Sequence, residues 1–85
     1  MVSVEYTERS LKESKKLPSR VKRKFSVQVL LLAENPFRSK LHTKSLGGTL
    51  AGFYSFRITR DYRAVFFFIS EAAVKLVSVS HRKDV

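Results

Sequence analysis

Apolar positions recur along this chain with two different periods. Val2, Val4 and Tyr6 alternate with Ser3 and Glu5, the pattern of a short strand. Thr7 is suited to cap a helix, with Glu8 in the first turn facing the positive end of the helix dipole. A first helix is therefore expected from Thr7 to about Leu17, with a thin apolar face made of Leu11 and Leu17. Pro18 interrupts it, and a second helix begins near that proline, which a first turn tolerates. Val21, Phe25, Val29 and Leu32 then fall on one stripe of a 3.6-residue period. Asn35-Pro36 ends the second helix, because the residue before proline avoids the α region.

Residues 36 to 52 are expected to be a loop containing all three glycines, with a tight turn at Gly47-Gly48. No Gly-Lys-Ser/Thr follows, so this is not a phosphate-binding P-loop. From Phe53 the period becomes two. Tyr54, Phe56 and Ile58 point one way; Phe53, Ser55, Arg57 and Thr59 point the other. Arg60-Asp61 forms a turn, Tyr62 to Ile69 a central strand apolar on both faces, Glu71-Ala72-Ala73 another turn, and Val74 to Val79 a third strand. The order is β-α-α-β-β-β. The expected class is α+β, a helical hairpin packed on one face of a small, mainly antiparallel twisted sheet, the other face at least partly open.

Composition narrows the chemistry. With 85 residues the chain is expected to form one domain, 1–85, with a modest core. It has no cysteine, which excludes a disulfide framework, a thiolate zinc site and a thiol nucleophile. Two histidines and seven acids offer little for a metal, and neither metal nor cofactor is expected. The longest apolar run, Ala64 to Ile69, is far short of the roughly 20 residues that span a membrane. The start, Met-Val-Ser-Val-Glu, lacks the features of a secretory signal. The expected location is therefore the cytoplasm. Seventeen Lys and Arg against seven acids give a formal charge of +10, which calls for a polyanion, most often nucleic acid. Much of that charge sits on the hairpin. Arg9, Lys12, Lys15, Lys16, Arg20, Lys22, Arg23 and Lys24 face only Glu13. They form either a solvated face or, since their sign is nearly uniform, a grip on an anionic partner.

Arg57 and Arg63 flank the Arg60-Asp61 turn, so a hairpin there brings both guanidinium groups to one face, where two forks match a phosphate. The bland alternative pairs each with Asp61 or sets it at a strand end. His81 ends the last strand, followed by Arg82. Histidine suits acid–base work, although a terminal surface histidine needs no function. His42 and Lys44 lie on the loop entering the hairpin, and each alone is weak. Tyr62, beside Arg63, is a candidate for base stacking, whereas Tyr54 alternates with Phe56 and Ile58 and belongs to the core. No paired carboxylates and no hydrolytic triad are present. A phosphodiesterase built this way works without metal and suits RNA, whose 2′-hydroxyl attacks the adjacent phosphate.

The stretch Lys40-Leu41-His42-Thr43-Lys44-Ser45-Leu46-Gly47-Gly48, the segment from Leu50 to Phe66 with Tyr62-Arg63 within it, and His81-Arg82-Lys83-Asp84-Val85 resemble the RelE/ParE toxin superfamily, across nearly the whole chain. The nearest branches are those of RelE, YafQ and YoeB. The resemblance implies a toxin of a bacterial toxin–antitoxin pair that cuts mRNA on the ribosome, with a cognate antitoxin, the ribosome and mRNA as partners. The ParE branch instead inhibits DNA gyrase. By position, Arg63 matches the arginine that contacts the scissile phosphate. Arg57 and Asp61 match catalytic or orienting groups. Lys44 falls near the site of the proposed base, with His42 two residues before it, and His81 matches a general acid. Which of His42, Lys44 and His81 is base and which acid stays open. Lys12, Lys15, Lys16, Arg20, Lys22, Arg23, Tyr62 and Arg82 are the implied RNA and ribosome contacts. Many relatives carry an aromatic residue after the Asp-Val found here at Asp84-Val85; its absence implies a trimmed chain, an attenuated toxin or a different base-stacking residue such as Tyr62.

Overall fold

A computed structural model describes residues 1–84; Val85 lies outside the described residues. The elements are β1 (Ser3–Tyr6), α1 (Glu8–Lys15), α2 (Ser19–Glu34), β2 (Lys44–Ser45), β3 (Phe53–Arg57), β4 (Tyr62–Ser70) and β5 (Ala73–His81), with short 3₁₀ turns at Ser39–Leu41, Gly48–Leu50 and Arg82–Asp84. They make one sheet in the order β1-β5-β4-β3-β2. β1 runs parallel to β5, and the other pairs are antiparallel. The expected α+β hairpin-on-sheet is present with one strand more, since Lys44–Ser45 of the expected loop pairs with Tyr54 and Ser55. Two residues are too few to show a period of two.

Thr7 caps α1 by accepting a bond from the Ser10 amide at 3.1 Å. The same region ties the helix to the sheet. Beyond β1 the edge of β5 would be bare, and α1 covers it with side chains. Thr7 Oγ1 donates to the Val77 carbonyl at 3.2 Å, and Glu13 Oε1 accepts from the Val79 amide at 2.8 Å. The apolar face read from Leu11 and Leu17 is half right. Leu17 is buried, but Leu11 is 45% exposed and Ser10 lies fully inside. Ser10 is admitted because its hydroxyl donates to the Thr7 carbonyl at 3.0 Å. Tyr6 meets Phe25 edge to face at 6.5 Å, and burial pushes its phenol above the usual value.

Pro18 stands at the N-cap position of α2 without a side-chain capping bond, and Asn35 ends the helix in the extended conformation that Pro36 requires. Asn35 Oδ1 then accepts from the Phe37 amide at 3.0 Å, an Asx turn that redirects the chain. The buried stripe of α2 is Val21, Phe25, Gln28 and Leu32. Val29 is only half-buried, and a glutamine occupies the inward position instead.

The core lies between α2 and one face of the sheet. Phe56, Ala64 and Val79 are register neighbours across β3, β4 and β5, and all three are buried. Phe66, Leu76, Val74, Ile58 and Leu41 complete it. Tyr54 packs against this cluster, stacked on Phe66 at 5.6 Å. A bulge shifts the β4–β5 register between Val65 and Phe66, so Ser78 faces Val65 while Leu76 faces Phe66. The opposite face carries Phe53 against Phe67 at 5.6 Å and a groove of about 330 Å³. Leu46, Leu50, Phe53, Val65 and Val77 line it, with Arg9 and Arg63 also contributing.

Candidate functional site

Arg57 and Arg63 are direct cross-strand partners, on one face of the sheet by its alternation. Ser80 of β5 extends the row, and Lys44 occupies the neighbouring row opposite Ser55. Three cations thus share the face that α2 leaves uncovered. Like charges set directly opposite on a sheet repel. Asp61 does not quench them. Its carboxylate pairs with Arg82 at 3.7 Å, and its carbonyl accepts from the Arg82 amide at 2.8 Å. Among the described residues no ion pair engages Arg57 or Arg63.

These side chains surround a cavity of about 210 Å³ lined by His42, Lys44, Arg57, Arg60, Asp61, Tyr62, Arg63 and Arg82, with Ser55, Phe56 and Thr59. Five Lys and Arg there meet one carboxylate, a lining that selects an anion. His42 arrives by a particular backbone route. Fully buried Leu41 anchors the 3₁₀ turn, and His42 follows it in the left-handed region at φ 50°. Non-glycine residues are uncommon there, and such conformations gather at functional sites. At the expected Gly47-Gly48 turn only Gly48 has positive φ, Gly47 being extended; Gly52, which leads into β3, has it too.

The structure brings together His42, Lys44, Arg57, Asp61, Tyr62, Arg63 and Arg82 of the expected residues. It does not bring His81 to the cavity wall. His81 is the cross-strand partner of Tyr62, and both alternate to the face opposite Arg57 and Arg63; Tyr62, next to the turn, still reaches the cavity rim, and His81 does not. Its ring meets that of Tyr62 edge-on at 5.0 Å, and its Nδ1 accepts from the Lys83 amide at 3.1 Å. One register step separates Ser80, the partner of Arg63, from His81, and that step reverses the face. Lys12, Lys15, Lys16, Arg20, Lys22 and Arg23 lie on the hairpin and line no part of this cavity. Arg60 was read only as a turn residue; a turn has no periodic pattern that aims a side chain. Among the described residues, no three His, Cys, Asp or Glu side chains are grouped to hold a metal ion, and no helix is long and apolar enough to cross a membrane.

A family model described as the ParE toxin of type II toxin–antitoxin system, parDE, matches residues 4–85. No curated protein matches the sequence. Among solved structures, the toxin–antitoxin complex RelBE2 from Mycobacterium tuberculosis aligns with 28% identity and a TM-score of 0.81, covering 95% of this chain and 98% of that one. The isolated RelE toxin of E. coli aligns with 27% identity and a TM-score of 0.76, over 95% of this chain and 84% of that one. A YoeB/ParE toxin from Agrobacterium tumefaciens shares the fold with a TM-score of 0.81 at 20% identity, covering 95% and 99%.

Proposed function

The chain belongs to the ParE toxin family of type II toxin–antitoxin systems, and from that premise we propose that it is an endoribonuclease that cuts mRNA on the ribosome by metal-independent chemistry. The observation that carries this reading is the Arg57–Arg63 cross-strand pair, two forks on one face beside Lys44 and His42. RNA supplies the nucleophile. The 2′-oxygen attacks phosphorus in line, the P–O5′ bond breaks, and a 2′,3′-cyclic phosphate and a 5′-hydroxyl form. Arg57 and Arg63 receive the charge that grows on the non-bridging oxygens. His42 takes the 2′-hydroxyl proton, and the Lys44 ammonium returns one to the leaving oxygen. Tyr62, at the rim of the cavity with the His81 ring edge-on beside it, offers a ring for a base. Asp61 and Arg82 fix the C-terminal segment against the turn. Lys12, Lys15, Lys16, Arg20, Lys22 and Arg23 engage ribosomal phosphates.

A cognate antitoxin fits the same picture, its acid-containing segment laid over the open face or against the hairpin. The mycobacterial relative is itself a toxin–antitoxin complex. The test is primer-extension mapping of 5′ ends on a translated message. New ends with the protein, absent with Arg63→Ala, support the reading. The ParE name of the matching family favours one rival, a gyrase-binding inhibitor that cuts nothing. Blocked supercoiling with the message intact establishes that rival instead.

A further inference from the structure

Gln28 breaks the apolar stripe of α2. It is 2% exposed, and its Nε2 donates to the Arg57 carbonyl at 2.8 Å and to the Lys40 carbonyl at 3.2 Å. Reversing the amide would set Oε1 against two carbonyl oxygens, so the partners themselves dictate its orientation. Oε1 has no partner among the described residues. A buried glutamine with half of its amide unpaired is a poor choice for core stability alone; a methionine there fills similar volume without a desolvated polar group.

The two carbonyls belong to different arms of the cationic cavity. Lys40 lies in the 3₁₀ turn that delivers His42 and, beyond it, Lys44. Arg57 closes β3 and pairs with Arg63. The two-residue β2–β3 ladder joins the arms from Lys44 onward, but among the described residues no ion pair adds to it, and the ladder does not reach back to the Lys40–His42 turn. One side chain on a four-turn helix thus grips both arms by their backbones, on the side away from the exposed cations.

We propose that Gln28 is a positioning residue that sets the spacing between the His42–Lys44 arm and the Arg57–Arg63 pair. The proposal rests on the anion-site reading above and names what makes that site rigid. Transition-state hydrogen bonds tolerate little misplacement, so looseness of about an ångström between the arms lowers turnover roughly 10²-fold while leaving encounter intact.

Two variants of the full chain test it, Gln28→Met and Gln28→Glu. In Gln28→Met both donors are lost. Turnover on translated message should fall about tenfold or more, with KM nearly unchanged because the hairpin cations are untouched. The glutamate variant adds a pH signature. Its neutral carboxyl keeps one O–H donor, whereas its carboxylate faces two carbonyl oxygens. Burial raises the pKa of such a group, so activity should be partly retained at low pH and lost as pH rises through an ionisation that the parent lacks. A third measurement does not need cleavage. Inorganic phosphate is titrated while the backbone amide shifts of His42, Arg57 and Arg63 are followed; both variants should bind it several-fold more weakly, the glutamate only at higher pH. If folded Gln28→Met keeps parental turnover and phosphate affinity, the proposal is wrong. If the Gln28→Met variant does not fold, the pH dependence within Gln28→Glu decides, and its absence overturns the proposal. Phosphate binding that depends on position 28 in a parent that never cuts RNA sustains the positioning role and sinks the nuclease reading.

Discussion

Cations gather in two regions of this molecule, and their surroundings differ. On the hairpin, Arg9 pairs with Glu13 at 3.2 Å, Lys12 with Glu8 at 3.4 Å, and Lys22 donates to the Lys15 carbonyl at 2.9 Å. At the far ends of β3 and β4, Arg57 and Arg63 stand face to face with no carboxylate on either among the described residues. The first arrangement partly neutralises charge and links α1 to itself and to α2. The second concentrates charge at a cost in stability, as directly opposed like charges do. The proposed anion site would offset that cost by placing a negative charge between the two. The paired hairpin cations Arg9 and Lys12 need no such explanation, since exposed i,i+4 pairs are ordinary on a helix.

The largest effect that separates the regions is catalytic. Arg63→Ala should lower cleavage of translated message by roughly 10²–10³-fold, the usual loss when one donor to a developing oxyanion is removed. Lys12→Ala, measured in parallel, should change it by less than about threefold. Equal losses from the two changes would erase the distinction drawn above and leave only a diffuse basic surface.

Next in size is a test of the structural region. Glu13 serves two partners, Arg9 and the Val79 amide that β1 leaves uncovered. Glu13→Ala strips a part-buried amide of its acceptor and should cost about 1–3 kcal/mol. For a chain of this size each kcal/mol lowers Tm by roughly 4–8 °C. Glu13→Gln keeps an acceptor and should cost distinctly less. Thermal unfolding of the two variants separates the lost backbone bond from the lost ion pair.

Both regions were legible in the sequence to different depths. The hairpin and four of the five strands followed from their periods, and the Arg57–Arg63 pairing followed from symmetry about the Arg60-Asp61 turn. Thr7 announced its helix because a cap is a local interaction. What escaped was set by contacts that no apolar period records. Ser10 is buried with its hydroxyl on the Thr7 carbonyl, Gln28 is buried because two distant carbonyls meet it, and Leu11 is exposed because α1 lies along a strand edge and not flat on the sheet. His81 lies on the face opposite the arginines for a similar reason, since face is decided by register with β4, which the sequence of β5 alone does not state. Lys44 was seen as a loop residue, yet pairing with Ser55 is what aims it at the arginines.

A smaller effect has the opposite sign to the Glu13 change. Arg57→Thr removes one of two opposed cations and installs a β-branched residue on a strand. It should raise stability by about 0.2–1 kcal/mol while cleavage falls. Thermal unfolding at low and high salt sharpens the point. The gain should shrink as salt screens the repulsion in the parent. A gain that ignores salt would come from strand propensity, and the pair would then be unstrained.

The smallest effects belong to the hairpin lysines, and salt is also how they are read. Single changes such as Lys16→Ala should stay within about 0.5 kcal/mol in stability. If these side chains contact RNA phosphates, each removal should lower the slope of log affinity against log salt by about 0.7 for single-stranded RNA, with turnover at saturation unaffected. A cavity change such as Arg63→Ala should lower the slope similarly, and turnover with it. The two regions are thus distinguished less by how much binding each loses than by whether catalysis follows. Hairpin variants that reduced turnover at saturating message while leaving the salt slope unchanged would place those lysines in the chemistry and would collapse the comparison from the hairpin side.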